Sequence, residues 1–376
     1  MVKKVLLVAN NNLNRGGVQN VIMAIACNLH AEYQFDVVCF SGKTAYYDEA
    51  FLKNGGEIYR IPHYEGKSRF RRRLDFYIRG LKIFRGMKNI LKQKKYDVIH
   101  CHNGEESGIC LAAAAAAGVP VRITHAHTSF DNYHSYNFVR KRYTEFLYGL
   151  TQKHATACVG CSQLACQTQF KGLSSAVIYN TIDFHAFARK QDPERHDAPV
   201  LVQVAGFCDN KNQLFSVEIL DALKKTYPDA RLILVGGDSL DYMKEYKQKV
   251  AEKVKEYSLG ESVTFLPQDA NIPQAMAQAN FLLLPSLREG LGIVAVEAQA
   301  LGLTCFVSDS VSQEVDCGGC TFLPLSQGAE HWAAVIGKRF AATGGARGQW
   351  DMEKFHTDKI MNQIRNLYDG VIQCEK

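Results

Sequence analysis

Glu289 and Glu297 stand with seven residues between them in PSLREGLGIVAVEAQALGL, an otherwise apolar stretch punctuated by glycine. Two carboxylates in one element suggest an acid and a base at a reacting centre, or two grips on a polar ligand. Were the stretch helical throughout, eight residues at 1.5 Å each would set the carboxylates about 12 Å apart on roughly one face. A retaining glycosidase pair needs about 5 Å, which disfavours hydrolysis by this pair. About 12 Å is closer to the span from a sugar, across a diphosphate, to a ribose.

Other residues carry chemistry of their own. In LLVANNNLNRGGVQN, Gly16 and Gly17 fall between a strand pattern and a helix pattern, where free backbone N–H groups and the helix dipole favour an anion. The G-x-G-x-x-G spacing of a dinucleotide site is absent, and Asp36 precedes its strand instead of ending it as a ribose-binding acid should. Histidines recur two apart as His100 and His102 in IHCH and as His125 and His127 in HAH, so each pair shares one face of a strand. These histidines, with CVGC at 158–161 and CGGC at 317–320, raise the question of a metal. The two C-x-x-C pairs lie more than 150 residues apart, far outside zinc-site spacing, and no metal is expected.

Residues 67–95 hold twelve Lys and Arg against one acid, Asp75, a local +11 in a chain of net +6, which leaves −5 for the rest. Leu74, Tyr77, Ile78, Leu81, Phe84 and Leu91 recur there at helical spacing among the cations, as in an interfacial helix on an anionic membrane. The candidate membrane-binding cations are Arg69, Arg71, Arg72, Arg73, Arg79 and Lys82. The same stripe also suits a core-facing surface with solvated charges. No reader motif accompanies the charge, so nucleic acid is not an expected partner.

The elements that must position these residues follow from the hydrophobic pattern. Val- and Ile-rich runs alternate with helical patterns, as in a parallel sheet with crossover helices. KVLLVAN, FDVVCFS, GEIYRIP, YDVIHCH, VRITHAH, TACVGCS and SAVIYN are strands of a first doubly wound unit, and Val18, Val21, Ile22, Ile25 and Leu29 mark the helix behind RGG. After the polar FHAFARKQDPERHDAP linker, VLVQVAGF, ARLILVGGD, VTFLP, FLLLPS and LTCFVSD start a second. A chain of 376 residues suits two such α/β domains, whose sheet ends would share a cleft. The expected divisions are 1–190, 196–352 and a C-terminal helix over 353–376 packing back towards the first domain. Twelve scattered cysteines, no signal-peptide core and no apolar run of about 20 residues point to a reducing cytoplasm.

EGLG and EAQALGL, with RGGVQ, DVIHCHNGEESG, RITHAHTS, VIYNTIDFHAF, GFCDNKNQLF, LILVGGDSL and SDSVSQEVD in order over nearly the whole chain, resemble the retaining GT-B glycosyltransferases of the E-x7-E type, the group 1 family of capsular and exopolysaccharide enzymes. The resemblance implies a GT-B fold of two doubly wound Rossmann-like domains facing across a cleft. It implies that Glu289 contacts the donor sugar, with the backbone of Gly290, Leu291 and Gly292 around sugar and phosphates. Glu297 would hold the ribose and Lys211 the diphosphate, with Gly16 and Gly17 closing over the phosphates. His127 would orient the reacting sugar, with His125 as the alternative assignment. Gly206 stands where family members commonly place a diphosphate-binding arginine, and Arg288 or Arg15 is the candidate substitute. The implied partners are a nucleotide sugar and a glycan or lipid-linked glycan acceptor at the inner face of the cell membrane, with no cofactor or metal. A non-catalytic binding homologue and a nucleotide-sugar 2-epimerase are the competing readings.

Overall fold

The structure is a computed structural model and describes residues 2–62, 69–129, 136–187, 197–238 and 240–372, residues 69–77 in their backbone alone. The linker expected near residue 190 and the side chains of Arg69, Arg71, Arg72 and Arg73 lie outside the described residues. The chain divides into two units, Met1–Thr181 with Asp358–Lys376, and Ile182–Thr357.

The N-terminal unit runs β1 (Lys3–Val8), α1 (Gly17–Leu29), β2 (Tyr33–Cys39), α2 (Asp48–Lys53), β3 (Ile58–Arg60), α3 (Arg69–Gln93), β4 (Val98–Cys101), α4 (Ser107–Ala116), β5 (Val121–Ala126), α5 (Phe138–His154), β6 (Ala157–Gly160), α6 (Gln163–Gln169) and β7 (Ala176–Val177). Its seven strands pair in parallel in the order β3-β2-β1-β4-β5-β6-β7. Val5 to Val8 are wholly buried because helices cover both faces of such a sheet, which is why the strand is a continuous apolar run. On α1 the buried Val21, Ile22, Ile25 and Leu29 follow helical spacing onto that sheet. The alanine-rich α4 presents almost no side-chain bulk, and Gly108 lies so close to the Leu147 carbonyl of α5 that a Cβ would fall 2.4 Å from it.

The C-terminal unit runs β8 (Val200–Val204), α7 (Gln213–Lys224), β9 (Arg231–Val235), α8 (Asp241–Glu256), β10 (Val263–Leu266), α9 (Ile272–Ala277), β11 (Phe281–Leu284), α10 (Ile293–Ala300), β12 (Thr304–Ser308), β13 (Cys320–Leu323) and α11 (Gly328–Thr343). Its six strands are ordered β10-β9-β8-β11-β12-β13, again parallel. The last helix, α12 (Thr357–Tyr368), belongs to the N-terminal unit and buries Ile360, Met361, Ile364, Leu367 and Tyr368 in its core. Each such side chain contributes about 1.5–3 kcal/mol relative to exposure, enough to hold the helix there.

Two features differ from the sequence reading. Strand β13 was not expected, since CTFL is short and follows a glycine pair, yet it pairs with β12 from Cys305–Cys320 to Ser308–Leu323. Asp36 lies within β2, not before it, and is buried with Lys94 Nζ at 2.5 Å and the Tyr96 hydroxyl at 2.7 Å. That is a structural anchor between β2 and the end of α3.

Candidate functional site

In the C-terminal sheet the strand order reverses between β8 and β11, and open parallel sheets bind ligands outside the carboxyl ends of the strands at such a point. Two loops leave there, 205–212 after β8 and 285–292 after β11, and polar contacts clasp them together. Leu287 N donates to the Asn210 carbonyl at 2.8 Å, Asn210 Nδ2 to the Arg288 carbonyl at 2.9 Å, and Asn212 Nδ2 to the Pro285 carbonyl at 3.2 Å. Asn212 adopts φ 56°, a left-handed conformation that asparagine tolerates better than most residues. Gln203 Nε2 donates to the Lys211 carbonyl at 2.6 Å and is itself oriented by Ser216 at 2.8 Å.

The clasp fixes Lys211 at the end of a 3-10 turn, Asp209–Lys211, with its Nζ 2.6 Å from Glu289 Oε1. Ser286 Oγ donates to the same carboxylate oxygen at 2.7 Å. Glu289 is 11% exposed in its side chain and Lys211 27%, so the pair is sheltered and still open to solvent on the lysine side. Lys211 and Glu289 thus meet each other across 78 residues of sequence.

Gly290, Leu291 and Gly292 are buried and lead into α10, which has no acidic residue in its first turn and no side-chain cap. Its backbone N–H groups are therefore available to an anion. Glu297, on the second turn, is half-buried and has no side-chain hydrogen bond or ion pair among the described residues. Desolvation pushes its carboxyl up to about 8. A sheltered acid held without a partner lowers stability and is a mark of a functional site.

That acid gives a pH dependence. Folded Glu297 keeps its proton to about pH 8, whereas an unfolded carboxyl releases it near its ordinary value of 4.5, so within that window the folded state binds more protons. Stability should fall as pH rises through it. Melting profiles of the Glu297→Gln variant should be flatter than those of the parent from pH 5 to 8, and parallel profiles would show that Glu297 is not the group responsible.

Gly206 lies beside α8, where a Cβ would meet the flexible Met243 Cε at 2.9 Å, so no backbone bars a larger residue. Of the two substitute cations, Arg288 is exposed, and Arg15 in the N-terminal unit stacks on Tyr46 at 4.2 Å and donates to its hydroxyl at 2.6 Å.

In the N-terminal unit Gly16 is extended and Gly17 opens α1, again without an acidic first turn or a capping side chain. His127 is half-buried, with Nε2 2.8 Å from His102 Nδ1, and burial lowers its pKa to about 4, so it is neutral at pH 7. His125, the alternative, lies deeper and contacts His100 at 3.2 Å. Arg79 is turned onto Glu106 as a partly buried ion pair, unlike a cation displayed to a membrane, while Lys82 is exposed. Sequence reasoning did not find Asn210, Asn212, Gln203 or Ser286 as positioning residues. NKN adjoining a strand end was the only available signal.

Comparison with known proteins follows the same division. Residues 15–186 match the family model "Glycosyltransferase Family 4" and residues 185–315 match "Glycosyl transferases group 1". The chain is 29% identical, over its whole length and 98% of the relative, to EpsF of Bacillus subtilis strain 168, whose name assigns it provisionally to the glycosyltransferases. It is 26% identical to the capsular polysaccharide biosynthesis glycosyltransferase CapH of Staphylococcus aureus over 77% of this chain and 76% of CapH. It is 24% identical to an Escherichia coli galactosyltransferase named for UDP-galactose and GlcNAc-diphosphoundecaprenol, over 62% of each. Among solved structures, Anabaena HepE in complex with UDP and glucose superposes with a TM-score of 0.76 at 19% identity, covering 98% of this chain and 99% of HepE.

Proposed function

We propose, on the premise that this chain belongs to the group 1 glycosyltransferases and has their GT-B fold, that it moves a hexose or N-acetylhexosamine from a nucleotide diphosphate sugar to a lipid-linked glycan of a bacterial surface polysaccharide, with retention of configuration. The observation that carries this is the half-buried Glu297, without a side-chain partner among the described residues, on the helix that follows the loop of Glu289, whose carboxylate meets Lys211 from the neighbouring loop. The relatives named for capsule and for a diphosphoundecaprenol acceptor support the choice of acceptor.

On this reading Lys211 exchanges Glu289 for the donor diphosphate. As the glycosidic bond breaks, charge grows on that leaving group, and a fixed ammonium with the N–H groups opening α10 offsets it. Glu289 turns to the sugar hydroxyls, Glu297 takes the ribose hydroxyls, and the Gly290–Gly292 backbone lies around sugar and phosphates. The N-terminal unit contributes Gly16 and Gly17 to phosphate binding and a neutral His127 to the reacting sugar. The acceptor oxygen bonds to the anomeric carbon on the face the diphosphate leaves, and its proton passes to a departing phosphate oxygen. No protein nucleophile and no metal are assigned to the step.

The test is incubation with a panel of nucleotide sugars. A transferase releases nucleoside diphosphate, faster with acceptor. An isomerised donor would indicate the epimerase, and a melting shift without turnover a binding protein.

Peripheral attachment to the cytoplasmic face of an anionic membrane belongs to the same proposal. No helix among the described residues is long and apolar enough to cross a membrane. Helix α3 exposes Ile78 and Leu81 beside Lys82, and α5 exposes Phe138, Val139 and Phe146 beside Lys141 and Arg142. Each cation near an anionic leaflet is worth about 1 kcal/mol. The chain should float with anionic liposomes at low salt and lose binding when Arg71, Arg72 and Arg73 are replaced by glutamine. Failure of the parent to float would refute attachment.

A further inference from the structure

Four imidazoles meet in the N-terminal unit, more than orienting one sugar requires. Strands β4 and β5 are parallel neighbours with His100 opposite Ile123, and each carries histidines two apart at its carboxyl end, so all four rings stand on one side of the sheet. The ring centroids of His100 and His102 are 4.1 Å apart, those of His125 and His127 4.2 Å, and those of His100 and His125 5.3 Å. His100, His102 and His125 are at most 2% exposed, and one ring nitrogen from each lies within 4.8 Å of the other two.

Their hydrogen bonds do not close. His102 Nε2 and His127 Nδ1 are buried without a hydrogen-bond partner among the described residues, as is His125 Nε2. Two outward nitrogens are by contrast well held. His100 Nδ1 is 3.0 Å from the buried Tyr368 hydroxyl, and His102 Nδ1 is 2.8 Å from His127 Nε2. Metal-binding histidines commonly have the other ring nitrogen held by such an outer partner, which fixes tautomer and ring orientation. The inward nitrogens are then His100 Nε2, His102 Nε2 and His125 Nδ1. The first and last are 3.2 Å apart, close to the edge of about 3.3 Å that two nitrogens span on tetrahedral zinc with bonds of about 2.0–2.1 Å.

We propose that His100, His102 and His125 bind one borderline transition-metal ion, zinc(II) first among them, with Tyr368 and His127 as outer hydrogen-bond partners. An all-imidazole set suits zinc, copper or nickel, and lacks the oxygens that magnesium and calcium require. Burial keeps the three rings in the neutral form that a metal takes without displacing a ring charge. His125 also lines a small apolar pocket with Val21, Ile25, Ile178, Met361 and Ile364. The three ligands are none of the residues given a donor contact above, and Lys211, Glu289 and Glu297 belong to the other unit. It carries a consequence for His127, whose orientation the metal would set through His102.

Chelator-stripped full-length protein titrated with zinc against a chromophoric chelator should take up one equivalent. His125→Gln should weaken that binding by at least ~100-fold and Tyr368→Phe by ~10-fold, since outer partners are typically worth 10–100-fold in metal affinity. Cobalt(II) substitution of the unaltered chain supplies a readout that needs no variant. Visible bands of a low-coordinate nitrogen site without thiolate charge transfer support the assignment. Thiolate bands, zinc uptake unchanged in both folded variants, or no stoichiometric uptake would overturn it.

Discussion

Lys211→Ala is expected to slow sugar transfer by roughly 10²–10³-fold, the range seen when one preorganised donor to a developing charge is removed. Lys211 is held by the Gln203 contact to its carbonyl and by the Asn210 and Asn212 bonds to the facing loop, so its ammonium is placed before any ligand arrives. The variant also leaves the sheltered Glu289 carboxylate without that cation, which should cost about 1–3 kcal/mol. The two effects separate in the pair Lys211→Met with Glu289→Gln. The double variant should recover most of the lost stability, because charge and counter-charge leave together, and none of the turnover. A cycle of four unfolding curves and four rates of nucleoside diphosphate release would settle the matter. Lost stability with full turnover in Lys211→Ala would make the pair a structural clasp.

Gly292→Ala should have the next largest effect, through the backbone. Gly292 has φ 92° and ψ 44° at the start of α10, and a Cβ there would stand 3.0 Å from Val311 Cγ1 and 3.2 Å from Leu284 Cδ2. Left-handed backbone costs a non-glycine residue about 1–2 kcal/mol, and crowding in a packed interior about 1–3 kcal/mol more. Together these come to about 2–5 kcal/mol, relieved in part by rotating the helix start. That rotation would move Glu297 relative to Glu289, so nucleotide binding should weaken as well. Gly260→Ala is the control, since nothing lies within 4 Å of a Cβ there and its φ lies outside the left-handed region. Equal melting temperatures for the two variants would contradict the argument.

Much of the architecture was legible because parallel strands buried on both faces must be written as uninterrupted apolar runs. VLLV at the end of β1 and FLLL in β11 are such runs, set between stretches of helical periodicity. Strand β13 escaped because its four residues begin on a cysteine after two glycines and carry no such run. In the candidate site, Lys211 and Glu289 were visible one at a time. Their meeting was not, because it depends on β8 and β11 being neighbours, a fact of strand order that no local spacing encodes. The same holds for Tyr368, which reaches His100 across 268 residues only because the chain's last helix returns to the first unit. Helical spacing placed Arg79 among the display cations, yet it points at Glu106, since a periodicity fixes an angle around the helix and not which neighbour stands there.

The most direct measurement is the position of a nucleotide diphosphate sugar in a co-crystal with this chain. The account predicts ribose hydroxyls on the Glu297 carboxyl, the diphosphate on Lys211 and the N–H groups opening α10, and Glu289 released onto the sugar. A nucleotide seated elsewhere, with Lys211 still on Glu289 and Glu297 still bare, would contradict it.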